Sequence, residues 1–339
     1  MIPPEHNAAV TRALREAFQV TAFEDIRPLA KTPAAPPVFR IVVRGTPFLL
    51  KIHTRRGDIV RHLASMRAAA DAGLAPQVRY ANAEDKVFIT DFVEPVPFPA
   101  AEAVVRVPAA LRKLHALQPF ATAPSNLNTT CLFLINPGPA LDAFLENFQS
   151  ANLLAPDETA QLLACRRELA AVYPREEADM VSSHNDLFKP DNILFDGARV
   201  WLVDWEAAFL NDRYADLAAF ANLVVTNEAE EKAYLESYFS GPPNPYQRAR
   251  VFLARQLAHL FYAMAFLLIG SAGSPAGGSE PVPEYANFHR RFWSGEIALT
   301  DSRTKLLYAR VHRERLFRNR QDAKFDEALR IVADRAARV

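Results

Sequence analysis

Cysteine is nearly absent: Cys131 and Cys165 are the two in 339 residues, and they have no metal-type spacing. A disulfide scaffold and a thiolate zinc site are excluded, and a reducing cytoplasmic setting is expected. No charge sign is in excess, since Lys+Arg and Asp+Glu number 39 each. Proteins that work mainly on nucleic-acid phosphates carry a basic surplus, so no nucleic-acid partner is expected. The last 39 residues hold 11 Lys/Arg against 6 Asp/Glu and read as solvated amphipathic helix. Glycine is scarce, 11 residues against 25 prolines, and four of the eleven crowd into Gly270–Gly278, which reads as an exposed loop. Long apolar runs are also missing. Val251–Ile269 is interrupted by Arg255, Gln256 and His259, and its clean part, Leu260–Ile269, is ten residues. A membrane span needs about 20, so a buried helix and no membrane partner are expected. The first residues are acidic early and lack the apolar core of a signal peptide.

What is present is ordinary globular material, 50% hydrophobic and 23% charged. A helix is expected over 5–20. Strands are expected at Val38–Val43 and Pro47–His53, turning at Arg44-Gly45-Thr46. A helix over Asp58–Ala72, with Gly73 past its end, precedes strands at Gln77–Tyr80 and Lys86–Thr90. From Ala101 onward helices dominate, near 101–117, 139–150, 157–172, 214–226, 229–239, 246–269 and 302–337. The pattern predicts an α+β chain of two lobes: a small β-rich lobe over 1–92 and a larger, mainly helical one over 93–339. The proline-rich stretch near Asp91–Pro97 marks the boundary.

Chemistry concentrates in Ser183–Leu217, SHNDLFKPDNILFDGARVWLVDWEAAFLNDRYADL. Asp196-Gly197 is a hairpin turn between two apolar strands, Asn192–Phe195 and Val200–Val203. Folding this hairpin brings Asn192 and Asp204 together at its open end, and the polar loop carrying Asp186 leads to the same edge. Oxygen ligands of this kind suit Mg²⁺, which keeps much of its own water. A further carboxylate can orient an attacking hydroxyl and accept its proton.

His184-x-Asp186, Asn192-Ile193-Leu194 and Val203-Asp204-Trp205, in this order, resemble the catalytic and metal motifs of protein-kinase-like folds. Trp205 and the later Asp216-Leu217-Ala218 make the segment similar to the aminoglycoside phosphotransferase and choline kinase superfamily. The resemblance covers about 40–225. It implies a bilobal kinase-like fold that uses ATP and Mg²⁺, with Asp186 as catalytic base and Asn192 and Asp204 as metal ligands. It also makes His184 a buttress of the loop and Asp216 a cap or anchor of the following helix. One spacing departs from the family. Five residues separate Asp186 from Asn192 instead of four, so the loop is expected to bulge by one residue.

In the small lobe, Lys51 lies within the apolar run Phe48–Ile52, and the resemblance makes it the nucleotide-phosphate lysine. The family often pairs that lysine with a helix acid. No Glu lies between Asp58 and Asp71, which leaves Asp58 as the candidate partner, with His62 or solvent as alternatives. Asp91, Phe92 and Val93 fall where backbone groups of the interlobe hinge would read the adenine edge. The phosphate-covering turn within Ile26–Phe39 has no glycine, and Lys31 and Thr32 are its polar residues. His115 is expected to be a packed histidine. No Ala-Pro-Glu stop follows Asp204, so the expected partner is a small-molecule alcohol. Glu206 after Asp204-Trp205 resembles choline and ethanolamine kinases. Tyr262, Tyr285, Phe288, Phe292 and Trp293 are aromatics that could face a cation but read first as core. An aminoglycoside or sugar-hydroxyl kinase is the alternative, and a nucleotide-binding protein without turnover is another. Acceptor identity, oligomeric state and ATP versus GTP stay open.

Overall fold

The computed structural model describes residues 2–29, 37–53, 58–122, 134, 136, 138–174, 177–272 and 280–336. Lys31, Thr32, Cys131 and most of the Gly270–Gly278 stretch lie outside them. The chain divides into two units: Met1–Pro97 with Asp191–Ala208, and Phe98–Pro190 with Phe209–Val339.

The first unit is built on a five-stranded antiparallel sheet. Its strands are β1 (Asp25–Pro28), β2 (Val38–Val43), β3 (Thr46–Ile52), β4 (Val78–Asn82) and β5 (Val87–Asp91), in spatial order β1-β2-β3-β5-β4. Arg44 and Gly45 both have positive φ, 51° and 73°, and Val43 pairs with Thr46. This is the two-residue connection whose twist matches the strands, and a glycine relieves one of its two left-handed positions. Alternation along β3 sends Phe48, Leu50 and Ile52 into the core beneath α1 (Asn7–Phe18), where Val10, Ala13 and Leu14 meet them. The same alternation turns Lys51 to the opposite face. On α2 (Ile59–Asp71) the Asp58 side chain accepts the Arg61 N–H, and Gly73 takes a φ of +70° past the helix end.

The hairpin Ile193–Phe195/Val200–Leu202 belongs to this first unit, in contrast to the expected division at 92/93. Backbone hydrogen bonds are the reason. Leu202 N–H donates to Leu74 O and Val96 N–H to Phe195 O, each at 2.8 Å.

The second unit is mainly helical: α3 (Ala100–Leu114), α4 (Pro139–Ser150), α5 (Pro156–Val172), α6 (Arg213–Val224), α7 (Glu228–Phe239), α8 (Pro245–Ser271), α9 (Tyr285–Trp293), α10 (Ser302–Arg320) and α11 (Ala323–Ala336). A short antiparallel pair, Met180–Ser183 with Phe209–Asp212, runs into α6. The helix α8 spans 27 residues and is long and apolar enough to cross a membrane, but 83% of its apolar window is buried in the protein. It packs on α6, α10 and α11. At Gly270 an added Cβ would come within 2.9 Å of Leu306 on α10, so glycine here permits close approach. The expected single helix over 302–337 is two, because Asp322 accepts the Lys324 N–H and starts α11 afresh.

Candidate active site

The charged centre of the first unit gathers at Lys51. Its Nζ lies 2.8 Å from Asp204 Oδ1 and 2.8 Å from Glu206 Oε1. Burial pulls the ammonium pKa down, but the two carboxylates outweigh it and hold the group above its usual range. Asp204 sits where the second hairpin strand ends, with φ +68°, a left-handed conformation that a non-glycine residue adopts at a cost. Val203 N–H donates to Asn192 O at 3.0 Å. Asn192 and the residue before Asp204 thus face each other at the open end of the hairpin, as the sequence predicts.

Asp58 is not the partner of Lys51. It caps α2, and its carboxylate lies 3.8 Å from Arg61 Nε. Glu206 pairs with the lysine instead, a pairing that sequence reading missed because the two residues are 155 positions apart. His62 is buried next to His53, ring centroids 4.8 Å apart, and burial first, then its cationic and imidazole neighbours, pushes it down to about 3. It is neutral at physiological pH. Asp91 ends β5 and holds Arg79 through two bonds of 2.6 and 2.9 Å, while Phe92 lies under the Arg40 guanidinium. Val93 follows, half-buried.

Asp186 lies in the second unit, on the loop after Met180–Ser183. Lys189 Nζ reaches its Oδ2 at 2.7 Å, a contact invisible in the motif. The loop ends in a 3-10 turn over Pro190–Asn192. A buried knot fixes the start of the loop. The fully buried Asp216 accepts the His184 N–H at 2.8 Å and the Asn185 N–H at 2.7 Å, and lies 3.2 Å from His115 Nε2. Burial would raise its carboxyl, but the His115 contact and the loop N–H groups hold it below the usual range. His115 Nδ1 meets the Tyr238 hydroxyl at 2.7 Å, which makes it the packed histidine that the sequence predicts. Asp216 therefore anchors the preceding loop. Asp212, and not Asp216, caps α6, through the Tyr214 N–H. Asn185 has φ +66° and is held further by Asn211.

Aromatic residues surround the back of this loop. The Phe188 ring lies 5.1 Å from Tyr262 and 5.8 Å from Phe266. Tyr262, Tyr285, Phe288 and Phe292 are buried around Tyr308 and His312, and the Trp293 indole N–H donates to Phe98 O. They form core, and no open cage stands among the described residues.

Among the described residues no group of three or more His, Cys, Asp or Glu could hold a metal by itself. An amide and a carboxylate at one hairpin end do fit a hard cation that completes its shell with water and phosphate oxygens.

The sequence model of a group described as the phosphotransferase enzyme family matches residues 25–252, more than half the chain. The chain belongs to that family, and with it to the ATP-dependent kinases of small molecules. No curated protein matches it significantly. Among solved structures, a choline/ethanolamine kinase family protein from Mesorhizobium loti is similar over 97% of this chain and 99% of its own, with 19% identity and a TM-score of 0.65. Choline kinase from Cryptosporidium parvum is similar over 96% and 98%, with 12% identity and a TM-score of 0.62. A spectinomycin phosphotransferase in complex with ADP and spectinomycin is similar over 90% and 98%, with 11% identity and a TM-score of 0.54. At these identities the likeness is one of fold.

Proposed function

We propose that this member of the phosphotransferase enzyme family transfers the γ-phosphoryl group of ATP to the hydroxyl of a choline- or ethanolamine-like amino alcohol. Asp186 is the base that orients the acceptor hydroxyl and takes its proton. Asn192 and Asp204 hold Mg²⁺, which supplies charge neutralisation on the triphosphate. Lys51 binds phosphate oxygens. Asp91, Phe92 and Val93 offer backbone groups to the adenine. The bond from the γ-phosphorus to the bridging oxygen of ADP breaks, and a bond to the acceptor oxygen forms.

The observation that carries this reading is the Lys51–Asp204–Glu206 cluster with Asn192 beside it: a cation for phosphate and hard oxygens for a metal at one hairpin end. The amino-alcohol acceptor is supported by Glu206 directly after Asp204-Trp205, a pattern that resembles choline and ethanolamine kinases. Two of the structural neighbours are also named choline or choline/ethanolamine kinases. A panel of choline, ethanolamine, other amino alcohols, aminoglycosides and simple sugars, incubated with Mg-ATP and read by mass spectrometry, tests it. A phosphorylated amino alcohol is the expected product. Phosphorylated aminoglycoside or sugar alone would replace the acceptor assignment, and nucleotide binding with no product would replace the enzyme by a binding protein.

A further inference from the structure

The helix α2 carries no acid to Lys51, yet it reaches the same centre by another route. Arg61 is buried, 7% exposed, and leaves α2 toward the segment that follows Asp204. Its guanidinium donates through Nη1 to Ala208 O and through Nη2 to Glu206 O at 3.1 Å. Asp58, the helix cap, lies 3.8 Å from its Nε and accepts its backbone N–H. Glu206 in turn holds Lys51 Nζ at 2.8 Å and has His53 Nε2 at 3.6 Å.

We infer that Arg61 is a positioning residue for nucleotide binding: it clamps the backbone of Glu206 and Ala208 so that Glu206 and Asp204 present their carboxylates to Lys51. The planar guanidinium suits this task, because its several N–H donors lie in a fixed fork that can take two carbonyls at once. An ammonium supplies no such fork. Glu206 thereby takes the place of a helix acid, and α2 acts on the lysine through main-chain carbonyls. Lys51 remains the group that would touch phosphate. Arg61 acts through Glu206 and never meets the nucleotide. This inference rests on Lys51 being the phosphate lysine, as proposed above.

The test measures ATP affinity by calorimetry in EDTA, KM for ATP and kcat with Mg²⁺, and the thermal midpoint. The proteins are the wild type, Arg61→Met, Arg61→Lys, Glu206→Gln and the Arg61→Met/Glu206→Gln double variant. Displacement of a supporting group of this kind costs about 10- to 100-fold. Arg61→Met is expected to weaken ATP binding and raise KM by that factor with a smaller change in kcat. Arg61→Lys should recover part of the loss, and the double variant should lose little beyond Glu206→Gln alone. Unchanged ATP affinity and KM in Arg61→Met, or losses that multiply in the double variant, would overturn the clamp. Should Arg61→Met not fold, the same cycle with Arg61→Lys decides, because additive losses there contradict it equally. A wild type that binds no nucleotide in EDTA or with Mg²⁺ would instead overturn the phosphate role of Lys51, a distinct result.

Discussion

Asp204 and Asp216 are twelve residues apart in one motif segment, and the two units treat them in opposite ways. In the first unit Asp204 keeps a third of its side chain exposed, in a left-handed backbone conformation, against the Lys51 ammonium. In the second unit Asp216 is fully buried and meets two backbone N–H groups and an imidazole. The first arrangement leaves a carboxylate within reach of solvent and ions. The second uses a carboxylate to replace the water that loop amides would otherwise bind. Residue type alone therefore does not mark the chemical residue. Exposure and the identity of the donors do.

Substitutions should separate the two roles. Asp204→Asn and Asp186→Asn are expected to lower kcat by roughly 10²–10⁴-fold while the urea midpoint stays near that of the wild type. Asp216→Ala should instead lower unfolding free energy by about 3 kcal/mol or more, since it orphans several buried donors. Denaturation curves beside turnover assays check both. If Asp216→Ala were as stable as the wild type, the contrast would vanish.

The second unit offers a still more buried ion pair for comparison with Lys51. Arg250 is fully buried, 2.6 Å from Asp212 and 3.0 Å from Asp179, and stacked near Tyr173 and Tyr214. Burial pushes the Asp212 carboxyl up to about 6, against the pull of Arg250. Arg250→Met leaves Asp212 without its buried counter-charge and should cost about 3–5 kcal/mol, read by urea unfolding. A smaller effect, about 1–3 kcal/mol, is expected for Gly270→Ala, which forces Leu306 on α10 away from α8.

His62 in the first unit is pushed down to about 3, and His289 in the second to about 4, both mainly by burial. Below about pH 6.5 the unfolded chain takes up protons that these native side chains refuse, so stability falls with pH toward those values. Each should contribute about 1.4 kcal/mol per pH unit in that window and nothing above it. His62→Gln should flatten the acid side of a plot of unfolding free energy against pH. An unchanged slope would mean that His62 is charged in the folded protein.

Much of this was legible in the chain. The strand Val38–Val43, the helix end before Gly73, the turn at Gly45 and the hairpin ending in Asp204 all follow local rules that a short window carries. The strands Asp25–Pro28, Met180–Ser183 and Phe209–Asp212 are four residues each, too short for a periodic signal, and only long-range pairing defines them. The helix α9 was hidden because its cap is Glu284, an uncommon residue type at that position. The site was legible as a motif but not as a set of contacts. Glu206 beside Lys51 and Arg61 on the carbonyls depend on tertiary placement that no spacing encodes.

The most direct test of the central claim is the product formed from Mg-ATP and an amino alcohol by the wild type and by Asp186→Asn and Asp204→Asn. The account predicts one phosphorylated amino alcohol per ADP released by the wild type, and loss of both products in either variant with the fold retained. Equal amounts of phosphorylated product from all three proteins would contradict it.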